Sequence, residues 1–310
     1  MDADTLVTGA AGFIGSHLSE ALLERGYSVR GFDDLSSGKP ANLPDDKAFE
    51  FVEGDVRSSD AVREAVEGVD YIFHHAAETS VQRSIEDPVE TTDVNCLGTT
   101  RLIDAAADAG AEKVVVASSA AVYGSQEPPP PLSEDDEVSP ESPYALSKLW
   151  TEEIALQHDT LRDLDAVALR YFNVYGPRQD PEGEYAAVIP KFVTLMDEGR
   201  RPTVYGDGEQ TRDFVYVGDV VEANLRAAES DYHAGVVNVA SGERVSVNQL
   251  VEVLNEVLGT ELEPVYEDPR PGEVRHSVAD VSKAREMLGF VAETGMVEGL
   301  RETVADMRAR

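Results

Sequence analysis

Tyr144 and Lys148 stand four residues apart in Ser142-Pro143-Tyr144-Ala145-Leu146-Ser147-Lys148, after a serine and a proline that suit a helix start. Four residues is about one helical turn, so the phenol and the ammonium share a face. A free phenol has a pKa of about 10 and is a weak base near neutrality. A neighbouring ammonium stabilises the phenolate, which can then take a proton from an alcohol. Alone, this common five-residue pattern is better read as a surface pair. Ser118 and Ser119 change the balance, because they close a β-branched run and ligands of doubly wound sheets sit at the carboxyl ends of strands. A second set is Gly9, Gly12 and Gly15 in Val7-Thr8-Gly9-Ala10-Ala11-Gly12-Phe13-Ile14-Gly15, between a strand-like run and a helical one. Glycines admit a pyrophosphate to the backbone, and the helix N-terminal amides, beginning near Phe13 and Ile14, hold its charge. Three glycines also make an ordinary tight turn, but the next strand ends at Asp33. A carboxylate there accepts hydrogen bonds from ribose hydroxyls and, with Asp34 beside it, repels a 2′-phosphate, which favours NAD over NADP. Asp55, before Val56 and after the third strand, is placed to meet adenine, though a single such Asp is more often a turn former.

Strand-like runs at 5–8, 28–32, 49–53, 71–74, 113–118 and 166–170 alternate with helical periodicity at 14–25, 61–66, 91–109 and 144–161. Strict alternation implies parallel strands joined by crossover helices, an α/β doubly wound sheet. Proline and acid at 128–137 read as an exposed loop. Beyond Asn173 the pattern loosens around helical stretches at 188–198 and 247–258. The expected division is a dinucleotide domain over 1–170 and a smaller interleaved lobe over 171–310, with short returns to the sheet near 209–241. Adjacent His74 and His75 point to opposite faces of a strand, so they are expected as packing or loop residues rather than a metal pair.

The 310 residues carry 60 Asp and Glu against 26 Lys and Arg, a net charge of −34. Such a field repels phosphodiester backbones and anionic lipid, which excludes nucleic acid and membrane surfaces as main partners. Acid spread along the whole chain reads as adaptation to high salt, where ions screen the self-repulsion. Cys96 is the only cysteine, so no intrachain disulfide or cysteine zinc cluster forms. No apolar run approaches a membrane span, and strand-like residues begin too early for a removable leader, so a soluble cytoplasmic protein is expected.

The order of the glycine fingerprint, Asn95-Cys96-Leu97-Gly98-Thr99, Ser118-Ser119-Ala120-Ala121-Val122-Tyr123-Gly124 and Tyr144–Lys148 resembles the extended short-chain dehydrogenases/reductases, and within them the UDP-glucose 4-epimerase group. The resemblance runs to about Asp280. It implies a Rossmann NAD domain with a UDP-sugar-binding lobe. It implies that Gly9, Gly12, Gly15, Asp33, Asp55, Asn95 and Lys148 contact NAD, and that Tyr144 takes the proton from the sugar 4-hydroxyl while Ser119 bonds the same oxygen. On the substrate side it implies Asn173, Arg212 and Arg270 for the diphosphate, Val188 and Tyr205 for uracil, and Ser80 and Val81 near the sugar. A homodimer through the helices over 91–109 and 144–161 is implied as well.

Departures from related patterns narrow this. The 4,6-dehydratases carry an Asp-Glu pair, and the decarboxylases a glutamate, where this chain has Ala120 and Ala121. Epimerases restricted to glucose and galactose carry a tyrosine where this chain has Ser277, which leaves room for an N-acetyl group at C2. Thr79 replaces a lysine frequent in the hexose-specific bacterial members. A UDP-uronate 4-epimerase stays open, with Arg83 or Arg178 as the cation for a C6 carboxylate. A non-catalytic NAD-binding regulator is disfavoured by the survival of Tyr144 and Lys148.

Overall fold

The computed structural model describes residues 4–125, 131–181, 187–269 and 274–310. In chain order the elements begin β1 (Thr5–Thr8), α1 (Phe13–Glu24), β2 (Val29–Asp33), β3 (Phe49–Glu53), α2 (Ser59–Val66) and β4 (Tyr71–His74). Then come α3 (Val81–Glu86), α4 (Pro88–Thr91), a π-helical segment Thr92–Gly98, α5 (Thr99–Ala109), β5 (Lys113–Ser119), α6 (Pro143–Arg162) and β6 (Asp165–Tyr171). The rest of the chain holds β7 (Asn173–Tyr175), α7 (Val188–Asp197), β8 (Thr203–Tyr205), β9 (Thr211–Arg212), β10 (Phe214–Tyr216) and α8 (Val217–Glu229). It ends with β11 (Ala234–Val239), β12 (Val245–Ser246), α9 (Val247–Leu258), β13 (Val265–Glu267), α10 (Ser282–Leu288) and α11 (Met296–Ala309).

Seven parallel strands form one sheet in the order β11-β6-β5-β4-β1-β2-β3. Both faces are covered, which is why its strands read as apolar runs rather than alternating ones. In β5, Val115 and Ala117 pack with Leu18, Leu22 and Val220, while Val114 and Val116 pack with Val62, Leu102 and Ile103 on the other face. The chain winds outward from β1 to β3 and then restarts at β4 on the other side, so a crevice opens beyond the carboxyl ends of β1 and β4. A separate cluster built on α7, α9 and α11 (Phe192, Leu250, Leu254, Leu300) forms the core of the smaller lobe. The chain after β6 nevertheless sends α8, β11 and α10 back to the sheet, where Val220, Val237 and Leu288 join the first cluster.

The helix expected over 91–109 is not one α-helix. Its first part is the π segment, in which Asn95 is buried: the side chain accepts from Glu78 N (2.8 Å) and donates to Glu78 O and Ser147 Oγ (both 2.9 Å). π turns are uncommon and are found mostly at functional sites. Helices α3, α8, α10 and α11 are further elements that the periodicity did not mark.

The end of β4 is tied to β1 and α5 through His74. Thr99 Oγ1 donates to Asn95 O (2.5 Å), so it must accept from His74 Nε2 (2.8 Å). His74 Nδ1 therefore accepts from Thr8 Oγ1 (2.7 Å), whose oxygen in turn receives the His75 and Ala76 amides (3.2 Å each). This wiring requires a neutral imidazole. His75 stacks on Tyr171 and reaches its hydroxyl at 3.0 Å, and that hydroxyl donates to Asn224 Oδ1. Both histidines are held down to a pKa of about 3, first by burial and then by the Lys148 ammonium. Unfolded, each titrates near 6.5, so below that pH the unfolded chain gains protons that the folded chain refuses, and stability falls. His74→Gln removes one of those protons. The stability gap between parent and variant should close by about 1.4 kcal/mol per pH unit between about pH 6 and 4. Urea unfolding at several pH values measures this, and parallel curves would clear His74 of the effect.

Candidate active site

Helix α6 begins where its sequence says it should. Ser142 is extended and its hydroxyl accepts from Ala145 N (3.1 Å), Pro143 occupies the first turn, and the Tyr144 amide donates to Ser84 Oγ on α3 (3.1 Å). Tyr144 and Lys148 then face the end of β5. The buried Lys148 Nζ donates to the Ala117 carbonyl (2.9 Å) and lies 6.0 Å from the Tyr144 ring centre. Ser119, the last residue of β5, interacts with the phenol and lowers its pKa, but burial is the larger effect and the net shift of Tyr144 is upward. Burial also brings Lys148 down to about 8, against the pull of Cys96 and Glu152. The ammonium alone therefore does not prepare a phenolate.

The glycine turn occupies the crevice at the end of β1. Gly9 has φ +69°, and a Cβ there would lie 2.9 Å from the backbone of His75 and Ala76. A Cβ on Gly15 would come within 2.1 Å of the Gly9 carbonyl, so α1 seats on the turn only with glycine at that position. Gly12 precedes α1, whose first turn carries Phe13 and Ile14, no acidic residue and no side-chain cap. Its amides suit an anion. Asp33, buried at the end of β2, accepts from Ala11 N (2.9 Å) and Leu35 N (2.8 Å), and burial raises its pKa more than these bonds lower it. Asp34 turns back on Ser36, and Asp55 is gripped by Arg57, which lowers its pKa. Val56 is buried under Gly98, where a Cβ would lie 2.8 Å from its methyl.

In the smaller lobe the structure brings Arg212 and Ser277 side by side. Thr211 N donates to Arg275 O (2.9 Å) and Ser277 N to Thr211 O (3.1 Å). Asp213 fixes this wall: its buried carboxylate accepts from Ser241 N and Oγ, Gly242 N and Ala279 N, all within 3.1 Å. Asn173 is exposed at the start of β7, Val188 opens α7, and Tyr205 ends β8. Ser80 caps α3 by accepting from Arg83 N, with Val81 exposed beside it. Arg270 lies outside the described residues. Arg83 pairs with Glu78 and Glu90, and Arg178 with Glu20, so both cations suggested for a uronate are engaged by carboxylates. The sequence reading missed Asp213, Glu152 and Arg170. For Asp213 the one local signal is a charge set directly before the apolar Phe214 and Val215.

Residues 5–240 match the model of the NAD dependent epimerase/dehydratase family. The chain belongs to that family. The UDP-glucose 4-epimerase of Mycolicibacterium smegmatis is 43% identical over 308 residues, covering 98% of each chain. Among solved structures, the UDP-N-acetylglucosamine 4-epimerase of Methanobrevibacter ruminantium, in complex with UDP-N-acetylmuramic acid, superposes with a TM-score of 0.95 at 41% identity over 99% of both chains. The UDP-glucose 4-epimerase of Thermotoga maritima with UDP-glucose gives 0.92 at 39% over 98% of both. The family's NAD fits the residues present, since the glycine turn is open to backbone approach, the α1 N-terminus is uncapped, and Asp33 lies beside both. Gly15→Ala drives a methyl into the Gly9 carbonyl and should weaken NAD binding at least about tenfold by calorimetry, roughly 1.4 kcal/mol. Parent-like affinity would show that the turn has room to move.

Proposed function

We propose that this protein inverts the C4 hydroxyl of a UDP-hexose through a transient 4-keto sugar, as a NAD-dependent UDP-hexose 4-epimerase. The observation that carries the reading is Tyr144 beside Ser119 and Lys148 at the crevice edge, with only Ala120 and Ala121 following. That set can move one proton on one oxygen and offers no acid–base pair for eliminating water or carbon dioxide. Full-length similarity to proteins named as UDP-glucose and UDP-N-acetylglucosamine 4-epimerases supports it.

In this reading Gly9, Gly12, Gly15, Asp33, Asp55 and Asn95 belong to the cofactor side, with Asp33 turned to the adenosine ribose. NAD, when bound there, would supply a hydride acceptor and donor and a cationic ring that favours the phenolate. Tyr144 takes the 4-hydroxyl proton while Ser119 holds the same oxygen, and Lys148 keeps the phenolate favourable. Asn173, Arg212 and Arg270 hold the diphosphate, with Arg guanidinium suited to its oxygens. Val188 and Tyr205 flank the uracil, and Ser80 and Val81 the sugar. The keto sugar turns about its diphosphate, and Tyr144 returns the proton to the oxygen of the inverted centre.

Three finer statements go with this. Ser277 leaves space for an N-acetyl group, so UDP-GlcNAc and UDP-GalNAc are accepted beside the plain hexoses. Exposed Leu97, Leu146 and Trp150 lie on the π segment and α6, with Val89 and Ile85 nearby in α4 and α3, an apolar patch suited to a homodimer. The acidity of the chain suits work in concentrated salt. Incubation with UDP-galactose in molar salt should yield UDP-glucose without added NADH, with sedimentation in the same buffer reporting a dimer. Tyr144→Phe should abolish turnover while NAD stays bound, and an active variant would strip Tyr144 of its role. Ser277→Tyr should cut the N-acetyl activity about tenfold or more relative to the plain hexose activity, and an unchanged ratio would remove Ser277 from specificity.

A further inference from the structure

Glu152 lies one turn beyond Lys148 on α6 and two beyond Tyr144, on the same face, and it is buried. The reaction as assigned above makes no use of it. Its Oε1 accepts from Ser118 Oγ and from Arg170 Nε (2.9 Å), and its Oε2 from Arg170 Nη2 (2.8 Å). Ser118 stands between the two β5 residues that serve the site, Ala117, whose carbonyl takes Lys148, and Ser119, which interacts with Tyr144. Arg170, from β6, lies over the Tyr123 ring at 4.7 Å. One carboxylate thus pins α6 to β5 and β6 next to Lys148. Buried ion pairs are costly to desolvate, and well-packed apolar residues often replace them without loss of stability. Their presence here asks for another reason.

We propose that Glu152 is a positioning residue: its carboxylate, held by Ser118 and Arg170, fixes the stretch of α6 that carries Lys148 against the end of β5. The groups facing Lys148 are Tyr144 and Glu152 on α6, Cys96 on the π segment, and His74 and His75 at the end of β4. The histidines are neutral, and burial holds both the Cys96 thiol and the Tyr144 phenol protonated. Burial lowers the Lys148 pKa, and Cys96 first and Glu152 second act against it. The consequence for rate rests on the epimerase reading, whereas the charge of Lys148 is a property of the chain alone.

The chain has only six lysines, so 13C-labelled lysine gives six ε-methylene signals whose pH titrations can be followed separately, with Lys148→Met assigning one. Glu152→Gln keeps the size of the side chain but strands the Arg170 charge. The second design replaces the cluster with apolar groups, combining Glu152→Leu, Arg170→Met and Ser118→Ala. In Glu152→Gln the Lys148 midpoint should fall by about one pH unit from about 8 while the other lysines hold, and in the apolar triple, which removes the Arg170 cation with the carboxylate, it should fall by less. Epimerisation by Glu152→Gln should then be about tenfold slower than the parent near pH 9, with the deficit shrinking toward acid. An unmoved midpoint, or a loss equal at every pH, would overturn the proposal. A moved midpoint in a protein without epimerase activity would sustain the inference about Lys148 and sink the epimerase reading instead.

Discussion

Keeping a cation almost out of water at the end of β5 is the constraint around which the rest of this site is arranged. Lys148 has the Ala117 carbonyl as its hydrogen-bond acceptor, Cys96 and Glu152 act against the burial that lowers its pKa, and His74 and His75 beside it are neutral. In a medium of low effective dielectric each of these choices matters more than it would at the surface. A charged His74 would repel the ammonium at close range, so the Thr8 and Thr99 hydroxyls that fix its neutral tautomer also protect Lys148. The same bonds join β1, β4 and α5 at the crevice, which makes the electrostatic and the architectural requirement one requirement.

The polar seam continues away from the catalytic edge. Arg170 covers the Tyr123 ring, the Tyr123 hydroxyl donates to Asn238 Oδ1 (2.8 Å), and Asn238 Nδ2 donates to Leu132 O (2.8 Å) and Asp280 O (3.3 Å). Asp280 N bonds Leu132 O, and Ala279 N bonds Asp213. Through these bonds the segment carrying Ser277 is fastened to the same sheet edge that carries Ser119. The wall beside Arg212 is held by the buried Asp213 carboxylate, and Ala279 packs with Leu132, Tyr123 and Phe172 beside it.

Legibility in the sequence followed the range of the interactions. β1, β3 and β4 coincide with their apolar runs, and α9 with its apolar period, because Ser246 and Gln249 form a capping box at its start. By contrast α8, α10 and α11 follow Tyr216, Val281 and Gly295 without a side-chain cap, so their starts lack the signal that marks α9. The π segment was out of reach because the bonds of Asn95 go to Glu78 and Ser147, residues distant in sequence. The candidate site divides in the same way. Gly9, Gly12, Gly15, Tyr144 and Lys148 speak through spacing within one turn or one helix. Glu152 has that spacing too, but its meaning lies with Arg170 and Ser118, which only the order β6-β5 and the packing of α6 bring to it.

The surface charge belongs to a different length scale. At net charge −34 the far field opposes any anionic nucleotide. In molar salt the screening length shrinks to about 3 Å, so charges on the outer faces scarcely reach the crevice. On the proposed reading the α1 amides and Arg212 meet the anion at contact distance, which is shorter than or comparable with that screening length. Recognition of an anion is thereby uncoupled from the sign of the surface. Acidic side chains can accumulate on the exterior, as the Asp34 turn and the Asp55–Arg57 pair show even next to the cofactor side, without altering the few groups that hold the ligand.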